Sequence, residues 1–145
     1  MSNRQLIMPL RLSLGFVWIW TGIICLAVVP IEESVELVSR VGFGGVSARW
    51  TVWLTSGFEL ILGAVVIAGF WPRVVAVGQI TLIGGFTVIV TVFLPEYWLH
   101  PFGPISKNVV LMAAAYTIWR LSADPLENHS PRDADRAQTQ RSLPL

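Results

Sequence analysis

The sequence predicts an all-α fold: a transmembrane four-helix bundle of up-down topology, with a short interfacial helix between spans one and two. Three observations carry that prediction. Apolar residues make up 54% of the 145-residue chain and charged residues only 13%, a balance that makes lipid the solvent for much of the surface. The apolar residues gather in four stretches close to the roughly 20 that a helix needs to cross about 30 Å of hydrocarbon. Between the stretches lie prolines, glycines and charges, which end helices or anchor them at an interface.

Span one is residues 12–30, 19 consecutive residues without a charge. Arg4 and Arg11 before it resemble the basic start of a signal peptide. The stretch is too long for one and has no small-residue cleavage pattern, so it reads as a retained helix. In residues 31–49, Ile31, Val35, Val38 and Val41 recur at helical spacing while Glu32, Glu36, Ser39 and Arg40 point elsewhere. That pattern gives a short interfacial helix, closed by a glycine turn at Gly42, Gly44 and Gly45. Span two, residues 50–72, carries one charge, Glu59; span three, residues 74–95, carries none. Only Trp71, Pro72 and Arg73 separate them, so they are expected to form an antiparallel hairpin. Span four lies in residues 101–119, where Pro101 and Pro104 delay the helix to about Ile105. Residues 1–121 form the membrane domain. Residues 122–145 are too polar to offset the entropy of ordering and are expected to be a disordered cytoplasmic tail.

An even number of crossings puts Arg4, Arg11, Arg73, Arg120, Arg132, Arg136 and Arg141 on one side and Arg40, Arg49 and Lys107 on the other, a split of seven to three. The richer side is expected to be cytoplasmic, with both termini there. Trp50, Trp53, Trp71, Trp98, Trp119 and Tyr97 fall near span ends, where aromatic belts form. Trp18 and Trp20 fall mid-span, so each is expected to pack inside the bundle or line a cavity. A net charge of +1 without a basic stripe argues against a nucleic-acid partner. One cysteine, Cys25, excludes dithiol chemistry within the chain, and no metal-ligand spacing is present.

Glu59 is the most informative residue. About 15 Å into its span, an ionised carboxylate facing lipid would cost several kcal/mol, so it is expected to face the interior. There it serves as a titrating or ligand-contacting group, or as an interhelical hydrogen bond that fixes packing. Thr55, Ser56 and Gly63 extend a small, polar stripe around it. Trp18 and Thr21 of span one, Gln79, Thr87 and Thr91 of span three, and Asn108 and Met112 of span four are candidate neighbours. The expected ligand-binding set is Glu59, Ser56, Trp18, Thr21, His100, Lys107, Asn108 and Met112. The bland reading of Gly22, Gly63, Gly78 and Gly84 is close helix approach. The proline-rich loop before span four is expected to hold Glu96, His100 and Lys107 at the outer mouth. Arg11 is expected to snorkel to lipid phosphates, and Cys25 to be a small packing residue.

Three pieces of sequence, VWIWTG at 17–22, SGFELILG at 56–63 and above all LPEYWLHPFGPISKN at 94–108, resemble the DoxX-like family of small four-helix membrane proteins. The likeness covers residues 8 to about 121. It implies a bundle in the bacterial inner membrane, with Glu59 and the 100–108 segment at the family's polar positions. Some relatives are described as subunits of a thiosulfate:quinone oxidoreductase, others as membrane partners of antioxidant enzymes, so no single reaction is implied. Many relatives carry a lysine shortly after the span-one T-G, where this chain has Cys25 and Leu26; Glu59 then lacks that partner. The function expected is an accessory or binding subunit linked to membrane redox, with a quinone or other small amphiphile near Glu59. A redox partner protein or a homo-oligomer would complete it. The alternatives are a small-solute or proton transporter and a structural scaffold. The chain has no catalytic motif, and no cofactor beyond a quinone is expected.

Overall fold

The computed structural model describes residues 3–99 and 105–122. His100 and the expected tail lie outside the described residues. Within them the protein is all-helical, with five α-helices: α1 (Asn3–Ile23), α2 (Ile31–Arg40), α3 (Gly45–Ala68), α4 (Pro72–Phe93) and α5 (Ser106–Leu121). Three helical stretches are long and apolar enough to cross a membrane: Gln5–Val28, Gly45–Ala68 and Pro72–Phe93. At 16 residues, α5 is shorter.

Local chemistry sets the boundaries. α1 runs into one π-helical turn, Ile24–Val28, closed by the Val29 amide donating to the Ile24 carbonyl at 2.9 Å. Pro30 then opens α2, whose first turn carries Glu32 and Glu33 and whose last carries Arg40, each charge complementing the helix dipole. α3 ends at Gly69, which adopts φ +77° and donates its amide to the Val65 carbonyl, a left-handed cap that suits glycine. Pro72 starts α4 at its first position, where the missing amide hydrogen costs nothing.

α3 packs along α1, α4 packs along α5, and α1 meets α5 between them. α3 and α4 make little contact with each other. The expected hairpin is corrected accordingly: a three-residue connection fixes opposite chain directions but does not oblige the two helices to pack. Leu14, Leu62, Val66, Ala76, Ala115 and Ile118, drawn from α1, α3, α4 and α5, form the core near the 69–71 turn. At the other end Val90, Leu94 and Ile105 form a second cluster, on which Leu37 and Val41 of α2 rest.

The approach of α1 to α3 depends on glycine. A Cβ on Gly63 would lie 2.6 Å from Ile19 Cγ1 and 2.8 Å from the Gly15 carbonyl oxygen, and one on Gly22 would lie 2.9 Å from the Ser56 carbonyl. Nothing lies near Gly78 or Gly84, so the close-approach reading holds for Gly22 and Gly63 but not for those two.

Two ion pairs hold α2 in place: Arg49 with Glu32 at 3.4 Å, and Arg40 with Glu96 of the 3₁₀ turn Pro95–Trp98. Its own backbone amide and the Arg40 guanidinium hold the Glu96 carboxyl below the usual carboxylate range. A carboxyl with a lowered pKa contributes stability above the unfolded value of about 4.3, and that contribution fades as pH falls through the folded value. A spin label on α2 is therefore expected to gain mobility as the medium is acidified below that range. Arg40→Gln should already be mobile at neutral pH; equal mobility in both proteins at every pH would reject the brace.

Candidate functional site

Glu59 sits in the middle of the buried face of α3. Ala48, Val52, Ser56, Leu62, Gly63 and Val66 on that face are all buried, whereas Glu59 is only half-buried. Its Oε2 atom is nevertheless shut away from solvent and has no hydrogen-bond partner among the described residues. An acceptor left without a donor in a low-dielectric setting is costly, by about 1–3 kcal/mol. Such a group either accepts from something foreign or is retained at a penalty.

Its surroundings come from α1. The Ser56 hydroxyl and the Glu59 carboxyl both interact with the Cys25 thiol, which belongs to the π-helical turn. Cys25 itself is half-buried.

One turn nearer the 69–71 end, Trp18 Nε1 donates to Gln79 Oε1 at 2.9 Å. Gln79 is 1% exposed. This bond crosses from α1 to α4 through the interior. Gln79 stood among the candidate neighbours, but its bond to Trp18 joins residues 61 positions apart and leaves no local signal. On the far side Asn108 Nδ2 donates to Thr87 Oγ1 at 2.9 Å, and Thr87 donates on to the Ile83 carbonyl. Asn108 and Met112 are both partly buried; Ala115 and Ile118 on the same helix are buried.

Several expectations need correction. Thr21 is exposed and donates to the Val17 carbonyl at 2.8 Å, so it does not line the interior. A threonine that satisfies its hydroxyl on its own helix has no need of an interior partner. Trp20 is exposed and stacks on Phe16, an outward pair. Lys107 and Thr55 are exposed, and Thr91 accepts from Trp98 Nε1 near the α2 end. His100 lies outside the described residues, so its place beside Glu96 and Lys107 rests on sequence alone.

Arg11 does something other than snorkel. Its Nε donates to the Val66 carbonyl at 3.0 Å and its Nη2 to the Ile67 carbonyl at 2.6 Å, and the guanidinium lies over Gly69. The side chain caps the end of α3, supplying donors to carbonyls that have no partner within the helix. A crevice of about 10 Å³, room for about one water, is left between Arg11, Val66, Val75, Gln79 and Ile118. No group of three or more metal-ligating side chains occurs among the described residues.

The sequence model of the DoxX-like family matches residues 15–116, well over half of the chain, including all of α2, α3 and α4 and parts of α1 and α5. No curated protein and no solved structure matches it significantly.

Proposed function

The chain belongs to the DoxX-like family, and from that premise we propose that this membrane protein is a binding or accessory subunit that holds a small amphiphile against Glu59. Its carrying observation is one Glu59 carboxyl oxygen, buried in the middle of α3 without a donor among the described residues. A ligand that suits it has an apolar body and a head group that donates a hydrogen bond. A quinol meets both requirements, since its hydroxyls donate and its ring is apolar; service to a redox partner protein rests on the sequence resemblance.

The reading includes four crossings in up-down order, both termini in the cytoplasm and residence in the inner membrane. In its support, α5 packs along α4 and α1 and contributes Ala115 and Ile118 to the core shared by the three long helices. The basic residues divide seven to three in favour of the termini's side.

The test is extraction. Protein purified in mild detergent is expected to yield one lipid-soluble compound per chain on solvent extraction and mass spectrometry. Glu59→Leu, which fits the apolar surroundings without the acceptor, should retain at least about tenfold less, equivalent to about 1.4 kcal/mol. Recovery of no stoichiometric compound from the unaltered protein, or of equal amounts from the variant, would reject the proposal.

A further inference from the structure

We infer that Glu59 is reached sideways from the hydrocarbon of the bilayer, through a wedge between α3 and α4, so that its ligand is a lipid-dissolved amphiphile and not a water-borne solute. The inference rests on the reading of Glu59 above and names the class and route of the molecule.

Two stripes show the wedge. On α3, Val66, Leu62, Glu59 and Thr55 fall on one face at spacings of four, three and four. Their exposure rises along the stripe from 3% at Val66 and 9% at Leu62 to half-buried Glu59 and exposed Thr55. On α4 the matching stripe is Val75, Gln79, Leu82 and Phe86. Val75 and Gln79 share the crevice with Val66 of α3, Arg11 of α1 and Ile118 of α5, so this face of α4 looks into the bundle on the side that includes α3. Val75 is half-buried, and from Gln79 onward exposure rises from 1% to 41% at Leu82 and 54% at Phe86. Both faces are covered at the level of Leu62, Val66 and Gln79 and uncovered beyond it, as two helices that part from a shared turn would be.

Depth puts the opening in the middle of the slab. Glu59 is nine residues from the end of α3, roughly 14 Å, and Leu82 ten from the start of α4, roughly 15 Å, so the carboxyl and Leu82 stand at one level. Among the described residues both ends of the wedge are closed. At the turn, Leu62 and Val66 meet Ala76 and Ile118 in one cluster. At the other end α2 spans from α3, where Arg49 pairs with Glu32, to the end of α4, where Leu37 and Val41 rest on Val90 and Leu94 and Arg40 pairs with Glu96. The stripes that border this lateral opening are apolar apart from Glu59, Thr55, whose hydroxyl is satisfied on its own helix, and Gln79, whose oxygen already accepts from Trp18. The solvent at that depth is acyl chain, and an apolar body with a donating head matches that gap better than an ion, which would have to shed its hydration in hydrocarbon.

Carbodiimides of opposite solubility test the route. A carboxylic acid adds its O–H across one C=N bond of the reagent, and acyl transfer from oxygen to nitrogen then leaves a stable N-acylurea, with nothing expelled. In proteoliposomes at mildly acid pH, apolar dicyclohexylcarbodiimide is expected to label Glu59, as read by peptide mass spectrometry. A water-soluble cationic carbodiimide should label exposed Glu32, Glu33, Glu36 and Glu96 and spare Glu59. Leu82→Trp, which puts bulk in the gap, should slow Glu59 labelling at least about fivefold, whereas Val88→Trp on the opposite face of α4 should not. Equal labelling of Glu59 by both reagents, labelling by neither, or equal rates in the two tryptophan variants would overturn the inference. So would protection that deepens as the protein-to-lipid ratio rises, since that would put a second copy in the wedge. The labelling requires no resident amphiphile, so a failed extraction would leave it standing as a separate result.

Discussion

Replacing Gly63 with valine is expected to lower the stability of the folded bundle by about 3 kcal/mol, the upper part of the range for overpacking a tight contact. The reason lies in where the added atoms would go. A single Cβ already meets Ile19 Cγ1 at 2.6 Å, the Gly15 carbonyl oxygen at 2.8 Å and the Ile19 amide nitrogen at 3.0 Å. Two of these three are backbone atoms of α1, which cannot rotate away as a side chain can. In lipid the helices gain little from hiding apolar surface and associate through close van der Waals packing, so lost proximity between α1 and α3 is not recovered elsewhere. Gly78→Val makes the same chemical change where nothing stands within 4 Å, and should be close to neutral. Unfolding by sodium dodecyl sulfate in mixed micelles, followed by circular dichroism, compares the two; coincident transitions would show that the glycine contact does not hold the helices together.

That contact bears on the site as well. Gly63 is one helical turn from Glu59, and Gly22 meets α3 at Ser56 just before the π turn that carries Cys25. Seating α1 on α3 therefore sets what α1 presents beside Ser56 and Glu59. It also leaves the opposite flank of α3 free to part from α4.

The sequence made some of this legible and hid the rest for identifiable reasons. Span ends could be read where proline interrupts a helix, at Pro30 after span one, at Pro72 in the turn, and at Pro101 and Pro104 before a helix that begins at Ser106; the starts of α1 at Asn3 and α3 at Gly45 could not, because each helix runs on through the arginine, Arg11 or Arg49, that bounded the apolar stretch. The inward direction of Glu59 was legible because hydrocarbon penalises a carboxylate whatever the fold. Thr21 misled because its hydroxyl is satisfied within one turn, so polarity did not mean interior. The α3 and α4 pairing misled because loop length constrains direction and not packing. Trp18 with Gln79, and Arg11 with the end of α3, join residues more than fifty positions apart, and no window of sequence displays such a pair. The π turn at Ile24–Val28 left no compositional trace either.

Arg11→Met is expected to lower stability by about 2 kcal/mol, within the range for hydrogen bonds made by a charged group. Methionine keeps the apolar stem of the arginine but donates nothing to the carbonyls of Val66 and Ile67, now held at 3.0 and 2.6 Å. The change also removes a positive charge from the negative end of the α3 dipole. A second substitution separates capping from bulk. Gly69 adopts φ +77° and lies beneath the guanidinium, so Gly69→Ala should be destabilising twice over, by left-handed strain of about 1 kcal/mol and by a Cβ driven into Arg11. In the Arg11→Met background only the strain remains, because a flexible thioether can move aside where a guanidinium held by two carbonyls cannot. The double variant should therefore lose less than the two single losses combined, a coupling expected only of residues in contact. Strict additivity in the same unfolding assay would mean that Arg11 is not seated on this turn, and the cap that closes the narrow end of the wedge would have to be sought elsewhere.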